Sequence, residues 1–167
     1  MFQVKKTVKT LKVMSIACVV ALSGHALAGD KPAGISAQEA KQAIAVRKAT
    51  FSLIANNFKG IGETLQGKVD YDQADILKRA QRVAFLSEFL DGTFPAESNL
   101  GEPATKTKAS AFKEKEKFDQ LIKEFQEKTA ELAKVAAVET TASDAFKKAA
   151  GAVAQTCKGC HDAYKAK

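Results

Sequence analysis

The chain has 167 residues, 46% of them hydrophobic and 27% charged, which is enough for one domain with a buried core and too little for two ordinary ones. That balance excludes a mainly disordered chain, and 10 Gly, 3 Pro and no Trp on an Ala- and Lys-rich background disfavour collagen-like and turn-rich β architectures. Lys and Arg outnumber Asp and Glu 26 to 19, a formal +7 that raises the question of a nucleic-acid or anionic-membrane partner.

The first segment answers most of that question. Lys5, Lys6, Lys9 and Lys12 precede an almost wholly apolar run from Val13 to Leu22, and Ala26-Leu27-Ala28 supplies small residues at a cleavage-type position. This is the pattern of a secretory signal peptide, residues 1–28, with the mature domain at 29–167. The apolar run of about ten residues is too short to cross a bilayer as a helix, so no stable membrane anchor is expected. Cys18 lies inside the apolar run and reads as a small hydrophobe removed with it. Loss of the leader lysines reduces the basic side chains from 26 to 22 against an unchanged 19 acids, and no basic stripe interleaved with aromatics remains. No nucleic-acid partner is expected.

In the mature chain, Ser36-Ala37-Gln38-Glu39 fits a capping box opening a helix to about Asn57, with Ile44, Phe51, Ile54 and Phe58 at helical spacing. Gly60, Gly62 and Gly67 make the stretch from Lys59 to Tyr71 read as a loop. Asp72 offers the N-cap of a second helix, with Ile76, Leu77, Ala80, Val83, Ala84, Phe85 and Leu90 as its apolar set and Asp91-Gly92 at its end. Pro95, Gly101 and Pro103 mark a longer crossover from Phe94 to Pro103. A third helix is expected from about Ala104 to Val138, with Phe118, Leu121, Ile122, Phe125, Leu132 and Val135 on one side and a solvated Lys/Glu face on the other. Ser143-Asp144 caps a fourth, in which Phe146, Ala150, Val153, Cys157, Cys160 and Tyr164 step by 4, 3, 4, 3 and 4 along one face. Four amphipathic segments and no alternating strand pattern predict an all-α fold, an antiparallel four-helix bundle.

Cys157-Lys158-Gly159-Cys160-His161 is a C-x-x-C-H pentad that gathers every Cys and His of the mature chain. On a helix the two thiols share a face, so both can add to the vinyl groups of one haem, and His161 follows directly, placed to ligate the iron. Export agrees, because c-type haem is attached outside the cytoplasm. Three rivals are weaker. A disulfide between Cys157 and Cys160 closes a tiny loop with little entropic gain and leaves His161 unexplained. A thioredoxin-like dithiol belongs at a helix N-terminus after a strand, not in the last turns of a helix. Structural zinc needs four ligands, and the pentad offers three.

The absences narrow the haem class. The mature chain has no Met and no second His to ligate the other side of the iron, so a five-coordinate iron with one open position is expected, able to take a small gas. Propionates need cationic partners, and Arg is confined to Arg47, Arg79 and Arg82. Arg47, four residues before Phe51 on the first helix, is a candidate propionate partner with Phe51 over the iron. The ordinary alternatives are a solvated surface arginine and a core phenylalanine.

With the C-terminal pentad, the following Asp162-Ala163-Tyr164-Lys165 and the first-helix segment Val46-Arg47-Lys48-Ala49-Thr50-Phe51, the whole mature chain resembles the cytochrome c′ family of class II c-type cytochromes. The resemblance implies one haem c per chain, attached through Cys157 and Cys160, with His161 as proximal and only metal ligand, Arg47 at a propionate and Phe51 as the distal residue. Low-spin relatives have Met at the Phe51 position, so Phe51 implies the high-spin type. Its bulk, greater than that of the Leu found in many members, could restrict distal access. Lys165 stands where members often carry Arg beside the proximal His, and it cannot offer Arg's planar fork. The family further implies a periplasmic homodimer packed through the first two helices, binding NO and CO and exchanging electrons with an unidentified redox partner. A dedicated electron-transfer cytochrome with no gas-binding role is the alternative. No enzyme is expected, since no distal acid or base is visible to assist O–O cleavage.

Overall fold

The computed structural model of the protein describes residues 34–167; the expected leader, its cleavage point, Cys18 and His25 lie outside the described residues. Four long helices make the domain: α1 (Ala37–Leu65), α2 (Gln73–Glu88), α4 (Lys115–Val138) and α5 (Asp144–Tyr164), with a one-turn α3 (Ser110–Lys113) immediately before α4. Helix α1 packs on α2, α2 on α4, and α4 on α5, the succession of a four-helix bundle. The expected N-caps are in place. Ser36 and Glu39 exchange the reciprocal bonds of a capping box, Asp72 accepts from the amide of Asp75, and Ser143 accepts from that of Phe146.

Two boundaries differ from the sequence expectation. Helix α1 does not stop near Asn57 but runs two turns further, through Gly60 and Gly62 to Leu65. Glycine costs a helix about 1 kcal/mol relative to alanine, but this stretch buries Ile61 and Thr64 in the core. At Gly60 the side chain of Arg79 from α2 lies close, its Nε 2.7 Å from where a Cβ would stand. The helix ends at Gly67, whose φ of +68° closes a Schellman arrangement in which Lys68 N–H donates to the Glu63 carbonyl.

The third long helix starts later than expected. Residues 104–109 are not helical, because Thr105 and Thr107 are drawn into side-chain hydrogen bonds and the backbone of Lys106 and Lys108 pairs with the end of α5. An isolated antiparallel bridge between Thr107 and Lys165 belongs to this pairing and is not a strand. The crossover from α2 to α4 otherwise lies as expected, with one turn of 3-10 helix at Ala96–Ser98.

The core follows the helical stripes. Ile61, Ala80, Val83, Leu132, Phe146 and Val153 are completely buried. Phe85, expected on the apolar face of α2, instead lies outside, 59% exposed and edge-on to the half-exposed Phe89. Val46 and Leu53 are likewise large exposed hydrophobics, on α1. Truncating a fully buried leucine removes its transfer free energy and leaves a cavity. Leu132→Ala is therefore expected to lower unfolding stability by about 2–5 kcal/mol in denaturant titration, whereas Val138→Ala, at an exposed position on the same helix, should change it by no more than about 0.5 kcal/mol.

Candidate functional site

Helix α5 changes role along its length. Its inward stripe begins as core at Phe146, Ala150 and Val153 and continues one and two turns later as Cys157 and Cys160, half-buried and both free thiols. Burial raises both thiol pKa values, that of Cys160 to about 11. A redox dithiol requires the opposite shift, so these sulfurs sit as protonated side chains of low nucleophilicity. This weighs against the thioredoxin-like reading.

His161 follows Cys160 and turns about 100° further around the helix, into a cavity of about 530 Å³, within the range of small-molecule sites. Its pKa lies below the ordinary histidine value, through burial first and the neighbouring Lys165 second, with Asp162 opposing. The imidazole is thus biased toward the neutral form, the form that ligates metals. Facing it from α1 is Phe51, with ring centroids 6.3 Å apart and planes inclined by 64°. Phe118 and Tyr164 close another side and meet edge-on at 5.3 Å.

Arg47 lines the same cavity and is 2% exposed, so it is not a solvated surface charge. Its Nη1 donates to the Ser98 hydroxyl at 2.7 Å and the Thr93 carbonyl at 3.2 Å, and its Nη2 to the Thr105 hydroxyl at 2.8 Å and the Ser98 carbonyl at 3.3 Å. The guanidinium also stacks over the Phe94 ring at 4.8 Å. Burial pulls its pKa down to about 10, so it remains charged at neutral pH. Every partner is neutral, and among the described residues no carboxylate forms an ion pair with it.

These features fit a haem. Two thiols with the spacing for two vinyl groups lie beside an imidazole, an aromatic ring stands opposite, and a buried cation without a counter-ion faces the cavity, where an anionic propionate would compensate it. Among the described residues, no group of three or more His, Cys, Asp or Glu side chains converges on a metal position, so the zinc reading gains nothing. Four of the five residues singled out in the sequence, Arg47, Phe51, Cys160 and His161, line this one cavity, and Cys157 packs against the core one turn before Cys160. Sequence reasoning missed Ser98 and Thr105, which hold Arg47, and Phe94, on which it stacks. No periodicity marks these residues, because they belong to the irregular crossover.

Comparison with known proteins agrees in fold and sequence. The family model described as Cytochrome C′ matches residues 42–165. A cytochrome c′ of Rhodopseudomonas palustris is 34% identical over 130 residues, covering 74% of this chain and 82% of the relative. The solved cytochrome c prime from Shewanella frigidimarina is 36% identical and superposes with a TM-score of 0.73, covering 79% of this chain and 100% of that one. A ferrous variant of cytochrome c prime from Alcaligenes xylosoxidans with bound NO is 26% identical, with a TM-score of 0.67, and the match covers 77% of this chain and 96% of that one. The match runs from early in α1 to the residue that closes α5, so the chain belongs to the cytochrome c′ family, whose members carry covalently bound haem c.

Proposed function

We propose that this chain is a periplasmic cytochrome with a five-coordinate iron that binds NO and CO, discriminates against O2 and undergoes Fe(III)/Fe(II) electron transfer. The observation that carries the reading is the opposition of Phe51 and His161 across one cavity beside two free thiols. Cys157 and Cys160 would hold the haem as thioethers, and His161 would be its protein ligand. When bound, the haem supplies a one-electron couple and an open coordination position.

The protein's own part is to shape the two faces. On one, partial burial lowers the pKa of His161, and Lys165, one turn later, lines the cavity. On the other, Phe51 presents hydrocarbon and no hydrogen-bond donor. The adjacent Ser52 also lines the cavity, but its hydroxyl donates to the Lys48 carbonyl at 2.9 Å and so directs its proton to the backbone. Bound O2 gains from a distal donor far more than CO does, so the Phe51 ring favours the less polar ligands, while Lys48, one turn earlier, is the donor of this wall. Phe51, the side chain that faces His161 most directly, is neither acid nor base, which supports binding and electron transfer rather than peroxidase turnover.

Export to the periplasm rests on the leader pattern of residues 1–28, and among the described residues no helix is long and apolar enough to cross a membrane. The exposed Val46, Leu53, Phe85 and Phe89 give α1 and α2 an apolar surface suited to a homodimer packed through these helices.

Absorption spectra of the ferrous protein with and without CO and NO test the central reading. A high-spin spectrum that shifts with both gases is expected, and a low-spin spectrum indifferent to CO would overturn the five-coordinate assignment. Phe51→Ala should accelerate CO association by opening the distal face; an unchanged rate would show that Phe51 is not the gate. Phe85→Glu should shift the sedimentation of the loaded protein from dimer to monomer without altering its CO spectrum. A dimer that survives this change would place the interface elsewhere.

A further inference from the structure

The crossover between α2 and α4 touches both walls of the cavity, and one buried side chain joins the two contacts. Thr105 is 4% exposed. A hydroxyl has one proton to donate and two lone pairs to accept with, and Thr105 uses all three. Its Oγ1 accepts from Arg47 Nη2 at 2.8 Å and from the Thr107 amide at 3.1 Å, and donates to the Thr107 hydroxyl at 3.1 Å.

On the α1 side, Arg47 lies one helical turn before Phe51, so fixing its guanidinium fixes the turn that presents the ring. On the α5 side, Thr107 bridges Lys165, Lys108 N–H donates to the Tyr164 carbonyl at 2.8 Å, and Ala166 N–H donates to the Lys106 carbonyl at 2.8 Å. Lys165 is itself one turn beyond His161, and its amide donates to the His161 carbonyl at 3.1 Å. Hydrogen bonds, joined by the backbone of residues 105–108, therefore connect the turn that carries Phe51 through Thr105 to the turn that carries His161.

We propose that Thr105 is a positioning residue that holds Phe51 and His161 at their separation across the cavity, and through that separation sets how readily a distal ligand enters. This rests on the haem reading above and adds to it a residue that touches neither ring. Because α1 and α5 meet each other less extensively than the sequential helix pairs do, the crossover is the element that fixes their spacing at this end. Ser98 supports the same cation from the other side, with its own proton directed to the Pro95 carbonyl at 2.7 Å.

The test compares Thr105→Val, which keeps the shape and removes all three bonds, with Thr105→Ser, which keeps the hydroxyl, in the full chain loaded with haem. Three quantities are read: thermal stability, CO association rate, and amide exchange at Lys108 and Ala166. Thr105→Val should speed CO association several-fold and lose protection at both amides, and Thr105→Ser should restore both. In a Phe51→Ala background, Thr105→Val should leave the CO rate unchanged, because the tie acts through the position of that ring. A Thr105→Val protein that is less stable but takes up CO at the unaltered rate would reduce the residue to an ordinary loop support and overturn the proposal. An acceleration that persists in full without Phe51 would overturn it as well. If the unaltered protein shows no CO-dependent spectrum, the haem-ligand reading fails and this proposal with it. Retained exchange protection in Thr105→Val would instead break only the tie.

Discussion

The buried guanidinium of Arg47 organises the functional end of this bundle. Removing a cation from water costs several kcal/mol unless its donors are met, and α1 alone can offer it nothing, because the backbone carbonyls of a helix are already paired. The acceptors come from Thr93, Ser98 and Thr105, between 46 and 58 residues away in the chain. Hydrogen bonds to a charged group are worth about 1.5–3 kcal/mol each, so four of them make the crossover fold down onto α1 rather than project into solvent. The cost of leaving Arg47 unmet is what gives an irregular segment a defined conformation.

That conformation builds the cavity. The crossover, once fastened to Arg47, supplies the wall around Thr105 and then pairs its backbone with the residues after His161. The long helices contribute rigidity and direction: α1 presents Phe51, and α5 presents the cysteines and His161 from its last turns. A stripe that serves as hydrophobic core at Phe146 and Val153 continues through Cys157 to the cavity wall at Cys160 with no change in periodicity. The bundle can therefore change the chemistry at one end while its core is held elsewhere by Leu132, Ile61 and their neighbours.

The separation of core and site also explains which expectations from the sequence held. The four helices, their N-caps at Ser36, Asp72 and Ser143, and the inward face of α5 all follow from spacings within a turn or two, where local physics decides. The misplaced boundaries lie where a distant partner overrides local preference. Gly60 reads as a helix breaker, yet the helix continues because the turn that follows buries Ile61 and Thr64 in the core. Residues 104–109 read as the start of a helix, yet Arg47 and the end of α5 take their hydrogen-bonding groups. Phe85 fits the apolar stripe of α2 and still points outward, where it becomes part of a surface suited to a second copy.

By itself, the sequence determined the all-α class, the membership of Cys157, Cys160 and His161 in one covalent-haem motif, and the absence from the expected mature chain of any Met or second His to complete the iron. Those conclusions rest on composition and on spacings of three and four residues, which a helix converts directly into geometry. Only the tertiary structure decided that Phe51 stands 6.3 Å from His161, that Arg47 is buried rather than solvated, and that Ser98 and Thr105 belong to the site. These are relations between segments far apart in the chain. They are fixed by which buried polar groups find partners, and no local spacing encodes that choice.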